Sequence, residues 1–403
     1  MTDMMDPHTI EAEVYERLSR VIDPELGRSV TDLGMIVAVV ARPVDDCNAT
    51  VATATDGGSG VKDGSILPPD YDGARSSADR YDVTVKVELT VPGCPLSETI
   101  TDQINGAISS YQACKLIPHI EVGTMGPEKL DSLVSRLKAE RRQNPFNKPG
   151  IKTRIFAVAS GKGGVGKSSV AANLAATFAA LGYDTAAIDA DIYGFSLPRL
   201  LGVHTQPTDL NGMLMPVTAW GVKLISIGMF AGSDRAILWR GPRLQRSLEQ
   251  FLADVWWGEP DVLVLDMAPG TGDMALSVAQ TLPNAELLVV TTPQPSASEV
   301  AVRSGLVALQ VPMKVRGVIE NMSYFDHRGE RLNIFGEGGG VRVSERLTSA
   351  LGYDVPLLTQ LPLLPQIRQT GEAGRPAVLQ PDGTLGTGPL AMSFTNLAQT
   401  LMR

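Results

Sequence analysis

The sequence predicts an α/β protein: a doubly wound, mostly parallel sheet over residues 154–403, preceded by a small α+β domain over residues 8–125. Three observations predict it. Ile155–Ala159, Thr185–Asp189, Val262–Asp266, Leu287–Thr291 and Val315–Ile319 are short apolar runs, as parallel strands covered on both faces are. Helical segments separate them, which suits crossovers on both faces of one sheet. A glycine-rich stretch, Gly161–Ser169, lies between the first run and a helical run at Val170–Leu181.

The elements can be justified in order. Ile10–Val21 has helical spacing, with Val14, Leu18 and Val21 on one face. Asp23-Pro24 ends it, because the residue before proline disfavours the α region. Asp23 and Glu25 read as surface acids at that end. Gly34–Ala41 reads as a strand, and Tyr81–Val91 alternates apolar and polar residues. Between them, Ala52–Arg80 is rich in Gly, Ser, Asp and Pro and reads as a long surface loop. Ser97–Ser110 is a second helix. Residues 126–153 form a connector, with a charged helix at Glu128–Arg141 and a Pro/Asn/Gly linker at Gln143–Lys152.

Composition narrows the function. The chain has 403 residues, 43% hydrophobic and 20% charged, enough for more than one globular domain. A net charge of −9 argues against a broad nucleic-acid surface. The acidic N-terminal stretch lacks the apolar core of a secretory signal, and no apolar run is long enough to span a bilayer. Cys47, Cys94 and Cys114 are widely separated and odd in number, which fits a reducing cytoplasm rather than a disulfide framework. No CxxC is present.

The stretch Gly161–Ser168 has the pattern G-x-x-x-x-G-K-S in the strand–loop–helix setting that a phosphate loop requires. Its glycines, Gly161, Gly163, Gly164 and Gly166, let backbone N–H groups turn inward around an anion, together with Val165 and Ser169. The helix start adds partial positive charge. Lys167 is placed to reach the β- and γ-phosphates of ATP, and Ser168 to ligate Mg²⁺.

Lys162 near the loop start makes the segment K-G-G-V-G-K-S, which resembles the deviant Walker A family that includes MinD, ParA, nitrogenase iron protein and Mrp. The resemblance implies that Lys162 contacts nucleotide across an ATP-dependent homodimer, acting as an arginine finger does. The plain alternative is a solvated lysine. The resemblance also makes Asp191, in DADIYG, the residue that orients the attacking water; its alternative is a turn cap. Asp189, the more deeply placed of the pair, is a candidate to support Mg²⁺. Asp266 ends an apolar run in a Walker B-like position and would accept from Mg²⁺-bound water. Gly270, Thr271 and Gly272 then form a loop able to approach the γ-phosphate, and Asp273 can cap the next helix. By resemblance Asn321 meets the adenine edge, and Gln360–Arg368 closes over the base.

Residues 154–377 resemble Mrp, the ATP-binding iron–sulfur cluster carriers, through KGGVGKS, DADIYG, Trp239–Pro242, Asp266–Asp273, Ile319–Phe325, Phe335–Gly340 and Leu361–Arg368. Asp23–Ile36 and Leu89–Pro95 resemble the small domain shared with the assembly factor SufT, where Cys94 stands as a metal-linked cysteine or a turn residue. The resemblance implies an ATPase that gives iron–sulfur clusters to client apoproteins, alone or with assembly factors. The chain departs from that family in two places: Ala268-Pro269 keeps one of the two prolines usual before the glycine, and the second departure is the larger. After IENMSYF, where many members carry CxxC, it reads FDHRGERLNIFGEGGG, and no cysteine follows residue 114. Asp326 and His327 there read as a polar turn. A nucleotide-switched scaffold that carries no cluster is the rival expectation.

Overall fold

The structure is a computed structural model and describes residues 6–44, 80–90, 97–140, 144–148, 150–191, 194–230, 241–270 and 273–403. The chain divides into two compact units, residues 1–136 and 137–403.

The first unit begins with α1 (Pro7–Leu18), which Asp6 caps by accepting from the His8 N–H. Ile10, Val14 and Leu18 form its buried stripe. Three strands follow, β1 (Ile36–Pro43), β2 (Arg80–Leu89) and β3 (Lys115–Thr124), with α2 (Ser97–Ser109) crossing between β2 and β3. β1 and β2 are antiparallel; β2 and β3 are parallel. Tyr81, Val83, Val85, Val87 and Leu89 of β2 all face the core, the period-two pattern expected of this strand. Ile100, Ile104 and Ile108 of α2 are buried at helical spacing.

Two expectations change here. β3 was not anticipated, because its exposed edge gives no clean alternation. Asp23 is buried rather than a surface acid: its Oδ1 accepts from the N–H groups of Glu25 at 2.8 Å and Leu26 at 2.7 Å, closing a tight turn. The expected loop at 52–79, Cys47 and Cys94 lie outside the described residues. The charged helix is α3 (Pro127–Glu140).

The second unit runs β4 (Arg154–Ser160), α4 (Lys167–Ala180), β5 (Thr185–Ala190), α5 (Leu197–Leu200), β6 (Thr208–Leu210), β7 (Met213–Met215), β8 (Val217–Ala219) and β9 (Val222–Ser226). It continues with α6 (Gly241–Asp254), β10 (Val262–Met267), α7 (Asp273–Thr281), β11 (Glu286–Thr291), α8 (Pro295–Gly305) and β12 (Lys314–Glu320). The last elements are β13 (Phe325–His327), β14 (Glu330–Leu332), α9 (Gly339–Leu351), β15 (Leu357–Gln360), α10 (Pro365–Glu372) and α11 (Pro389–Leu401).

Its main sheet has eight strands in the order β15-β12-β11-β4-β10-β5-β9-β8, all parallel except β8. Alternate residues of β4 serve two cores: Ile155, Ala157 and Ala159 pack under α6 to α9, and Phe156 and Val158 under α4, α5 and α11. The doubly wound expectation therefore holds. α4 lies close against its face because Ala171, Ala172, Ala175 and Ala176 are small and fully covered. The chain leaves the central strand β4 toward β5, returns through β10 between them, and then crosses to β11 on the other side. The carboxyl ends of β4, β5 and β10 thus meet at one place, where open α/β sheets hold ligands.

Candidate active site

Three loops leave those strand ends. The first, Gly161–Gly166, is bent as its glycines allow. Gly166 takes the left-handed conformation at φ 84° and caps α4. The first intrahelical bond runs from Val170 N to Gly166 O at 2.9 Å. The N–H groups of Lys167, Ser168 and Ser169 therefore precede the helix's own ladder and stay available to an anion. Gly161 lies against the α8 backbone, where a Cβ would come within 2.4 Å of the Val300 carbonyl oxygen. Gly163, Gly164, Gly166, Lys167, Ser168 and Ser169 line a cavity of about 1000 Å³.

Lys167 is buried, and its ammonium ion-pairs with Asp266 at the end of β10. It also lies 3.7 Å from Asp191 Oδ2 and 3.3 Å from Ser168 Oγ. Four expected site residues from three loops thus converge within one buried cluster. Asp266 Oδ2 is buried with no hydrogen-bond partner among the described residues. Burial holds the Asp266 carboxyl above its ordinary value, against the opposing pull of the Lys167 ammonium. An unpartnered carboxylate oxygen beside a serine hydroxyl is the hard-oxygen pair that suits Mg²⁺.

Asp191 has two partners. Its Oδ1 accepts from Gly194 N at 3.1 Å, while Oδ2 faces Lys167. It therefore caps its turn and lines the cavity at once. Asp189 does other work than the expected metal support. Its Oδ1 accepts from Asp191 N at 3.2 Å; its Oδ2 accepts from Ser196 N at 2.9 Å, Leu197 N at 3.1 Å and Ser226 Oγ at 3.2 Å. Both oxygens bolt the Asp191 turn to α5. Burial, reinforced by the charge on Asp266, raises the Asp189 carboxyl to about 7.

Lys162 reaches sideways: its Nζ donates to Ser296 Oγ, 3.2 Å away near the start of α8. Asn321, at the end of β12, donates from Nδ2 to Val165 O at 2.9 Å and so braces the phosphate loop from its side. It lines the cavity with Met322, Leu363, Leu364, Ile367 and Arg368. Asp326 and His327 sit in a hairpin whose turn residues, Arg328 and Gly329, have φ 54° and 86°, and Gly329 N donates to Asp326 Oδ1 at 3.0 Å. That is the polar turn expected. Trp239, Arg240, Thr271, Gly272 and the side chains of Gly241, Pro242 and Asp273 lie outside the described residues. Sequence reasoning missed Ser296 and Ser304, since lone small polar residues carry no motif, and it gave Glu320 no role although that residue lies within Ile319–Phe325.

The family model described as ParA, the NUBPL iron-transfer P-loop NTPase, matches residues 151–402. The chain belongs to the NUBPL iron-transfer P-loop NTPase family. A second model, described as iron–sulfur cluster assembly protein, matches residues 11–53 of this NTPase. The NTPase is 43% identical over 381 residues to the iron–sulfur cluster carrier protein of Mycobacterium tuberculosis H37Rv, covering 94% of this chain and 90% of that protein. It is 48% identical over 291 residues to the Bacillus subtilis protein of the same name, covering 71% and 78%. Among solved structures, the nucleotide-binding protein in complex with ADP from Archaeoglobus fulgidus is 33% identical, with a TM-score of 0.49 and coverage of 61% and 93%. Among the described residues of the NTPase, no helix is long and apolar enough to cross a membrane.

Proposed function

We propose that the chain hydrolyses ATP to drive the binding of an iron–sulfur cluster and its transfer to client apoproteins, working in the cytoplasm as a nucleotide-gated homodimer. The observation that carries the ATPase reading is the buried cluster of Lys167, Ser168, Asp191 and Asp266 at the mouth of the glycine loop. The carrier reading draws on the relatives named iron–sulfur cluster carrier protein and on the two family models.

In this reading the N–H groups of residues 163–169 hold the phosphates of ATP. The Lys167 ammonium offsets charge on the phosphoryl oxygens. Water attacks the γ-phosphorus, the bond to the bridging oxygen breaks, and ADP leaves with the electron pair. Asp191 Oδ2 orients that water by accepting its hydrogen bond, and the proton the water loses passes to an oxygen of the phosphate that forms. Mg²⁺, held by the Ser168 hydroxyl and Asp266, would neutralise phosphate charge. Asn321 fixes the loop and faces the base with Leu363, Leu364 and Ile367. Lys162 completes the partner's site across the dimer.

The cluster is cargo, and thiolates are its natural ligands. Cys94 of the first unit is the proposed thiolate, supplemented across the dimer or by a partner protein. No CxxC follows Phe325, which favours the second reading, a nucleotide-switched scaffold without a cluster. The test is anaerobic reconstitution with iron and sulfide, then transfer to an apo iron–sulfur enzyme with ATP or without. We expect bound cluster, ATP-dependent activation of the client, and loss of transfer in Cys94→Ala. No stoichiometric cluster in the wild type, with client maturation unchanged in Cys94→Ala, would sink the carrier reading and leave the scaffold.

A further inference from the structure

One face of α8 touches the nucleotide site at three points. Ser296, Val300 and Ser304 are spaced four apart and so share a stripe of that helix. Ser296 Oγ accepts from Lys162 Nζ at 3.2 Å. The Val300 carbonyl lies against Gly161, so close that no side chain fits between them. Ser304, 3% exposed, donates from Oγ to Gly270 O at 3.3 Å.

Gly270 belongs to the loop that leaves β10 after Asp266. Its N–H donates to Ser160 O at 2.8 Å, at the end of the strand that runs into the phosphate loop. Its φ is 116°, open only to glycine. The Gly270 backbone is thus held on one side by β4 and on the other by α8. Ser304 lines the cavity with it.

The helix carries this contact onward. A Cβ at Gly305 would lie 2.7 Å from the Leu347 side chain, so α8 and α9 are in near-backbone contact. The first turn of α9 is fixed to the same neighbourhood. Gly340 N donates to the buried Glu320 at 2.5 Å, and Arg342 Nη2 donates to Pro293 O at 3.1 Å, just before α8. Glu320 adjoins Asn321, the brace of the phosphate loop. The β13–β14 hairpin enters α9 directly through residues 333–338.

We infer that α8 reads the Gly270 loop, that Ser304 is its positioning residue, and that α9 and the hairpin before it receive the signal. The Ser304 hydroxyl keeps the Gly270 carbonyl in step with α8, so a shift of that carbonyl on phosphate release displaces the helix as a rigid body. The inference rests on the ATPase reading and adds to it a route by which hydrolysis reaches α9 and the β13–β14 hairpin. Ser304 acts through Gly270, not on ATP.

The experiment compares wild type, Ser304→Ala and Ser304→Thr in the full chain. It reads kcat and KM for Mg-ATP, thermal unfolding, and hydrogen exchange of residues 325–351 with ADP and with a non-hydrolysable ATP analogue. Wild type should show exchange in 325–351 that differs between the two nucleotides. Ser304→Ala should lower kcat roughly three- to tenfold, the effect of one neutral hydrogen bond, with KM little changed. It should also abolish the nucleotide difference in exchange, and Ser304→Thr, which keeps the hydroxyl, should restore both. Should the alanine variant not fold, Ser304→Cys, of similar size with a weak donor, makes the same comparison. Wild-type kcat and wild-type exchange response in Ser304→Ala overturn the inference. So does a loss confined to thermal stability. A wild type that binds no Mg-ATP overturns the ATPase reading itself, an outcome distinct from either.

Discussion

At Gly166 two constraints coincide: a φ of 84° and an Asn321 Nδ2 that would lie 2.2 Å from any Cβ. Gly164 has φ 82° but nothing within 4 Å of an added Cβ. The left-handed conformation alone costs a residue with a side chain about 1–2 kcal/mol. Gly164→Ala should therefore lower Mg-ATP affinity by about thirtyfold at most, whereas Gly166→Ala, which also drives Asn321 off Val165, should lower it well beyond thirtyfold. Titration calorimetry decides between them; equal losses would mean that Asn321 gives the loop no support. Asp23 presents a different residue-scale question. Burial raises its carboxyl in the fold, against the two N–H groups that favour the charge. A raised folded value means the folded chain holds the proton more tightly than the unfolded one. Its contribution is complete below the unfolded value and is lost as pH rises through the folded one. At pH 7 the charge is thus a liability, while the turn bonds to Oδ1 are an asset. Asp23→Asn keeps the acceptor without the charge, so unfolding of the full chain should be less pH-dependent between pH 4 and 7, with stability at pH 7 equal or higher. Asp23→Ala should lose about 1–2 kcal/mol at every pH. A pH profile for Asp23→Asn that overlays the wild type would rule this out.

The elements divide into those that position the site and those that only hold the sheet. Arg154 of β4, Glu286 of β11 and Arg316 of β12 join at the amino ends of their strands, opposite the phosphate loop. Arg154 Nη2 lies 2.5 Å and Arg316 Nε 3.3 Å from the Glu286 oxygens, and Arg316 Nη2 donates to Thr400 O at the end of α11. Glu286→Ala leaves two partly buried guanidinium groups side by side and should destabilise the chain by about 1–3 kcal/mol. Mg-ATP affinity should stay within about twofold, since the ions are a sheet's length away. Denaturant unfolding and calorimetry on the same sample separate the two effects; a parallel loss of affinity would contradict the division. The same division explains what the sequence disclosed. The five central strands could be read because covering on both faces removes polar residues from them, as in β10, where all six residues are buried. β8 and β15 could not, since edge strands of three and four residues are half-exposed and lack that signature. Among site residues, Lys167 and Ser168 were legible because a phosphate loop fixes both their type and their spacing, whereas Asp191 was suggested by family resemblance and Asp266 by its place at the end of an apolar strand. Asp189 was misassigned to the metal because a carboxylate at a strand end looks the same whether it faces a cation or four chain donors. Ser304 was invisible, being one of many serines in helices.

For the whole molecule the open question is how one subunit's site depends on another. Lys162 is the test residue, because it lies in the glycine loop yet reaches Ser296 on α8 and not the Lys167–Asp266 cluster. A lysine serving its own subunit would be required for nucleotide binding as much as for turnover. One that serves a partner would matter only once two subunits meet. Lys162→Ala should then bind Mg-ATP within about threefold of wild type, because the N–H groups and Lys167 remain, while kcat falls at least about hundredfold, as loss of a trans cation does. The wild type should sediment as a dimer with a non-hydrolysable ATP analogue and as a monomer with ADP, and Lys162→Ala should lose the ATP-dependent dimer. Mixing supplies the sharper arm. Lys162→Ala has an intact Asp191 and lacks the trans lysine; Asp191→Ala keeps the lysine and lacks the water-orienting carboxylate. A mixed dimer of the two contains one complete composite site, Asp191 from one subunit and Lys162 from the other, so activity should return when two inactive proteins are combined. Failure of that complementation, with dimers present by sedimentation, would place Lys162 in its own subunit's site and remove the dimer from the catalytic step.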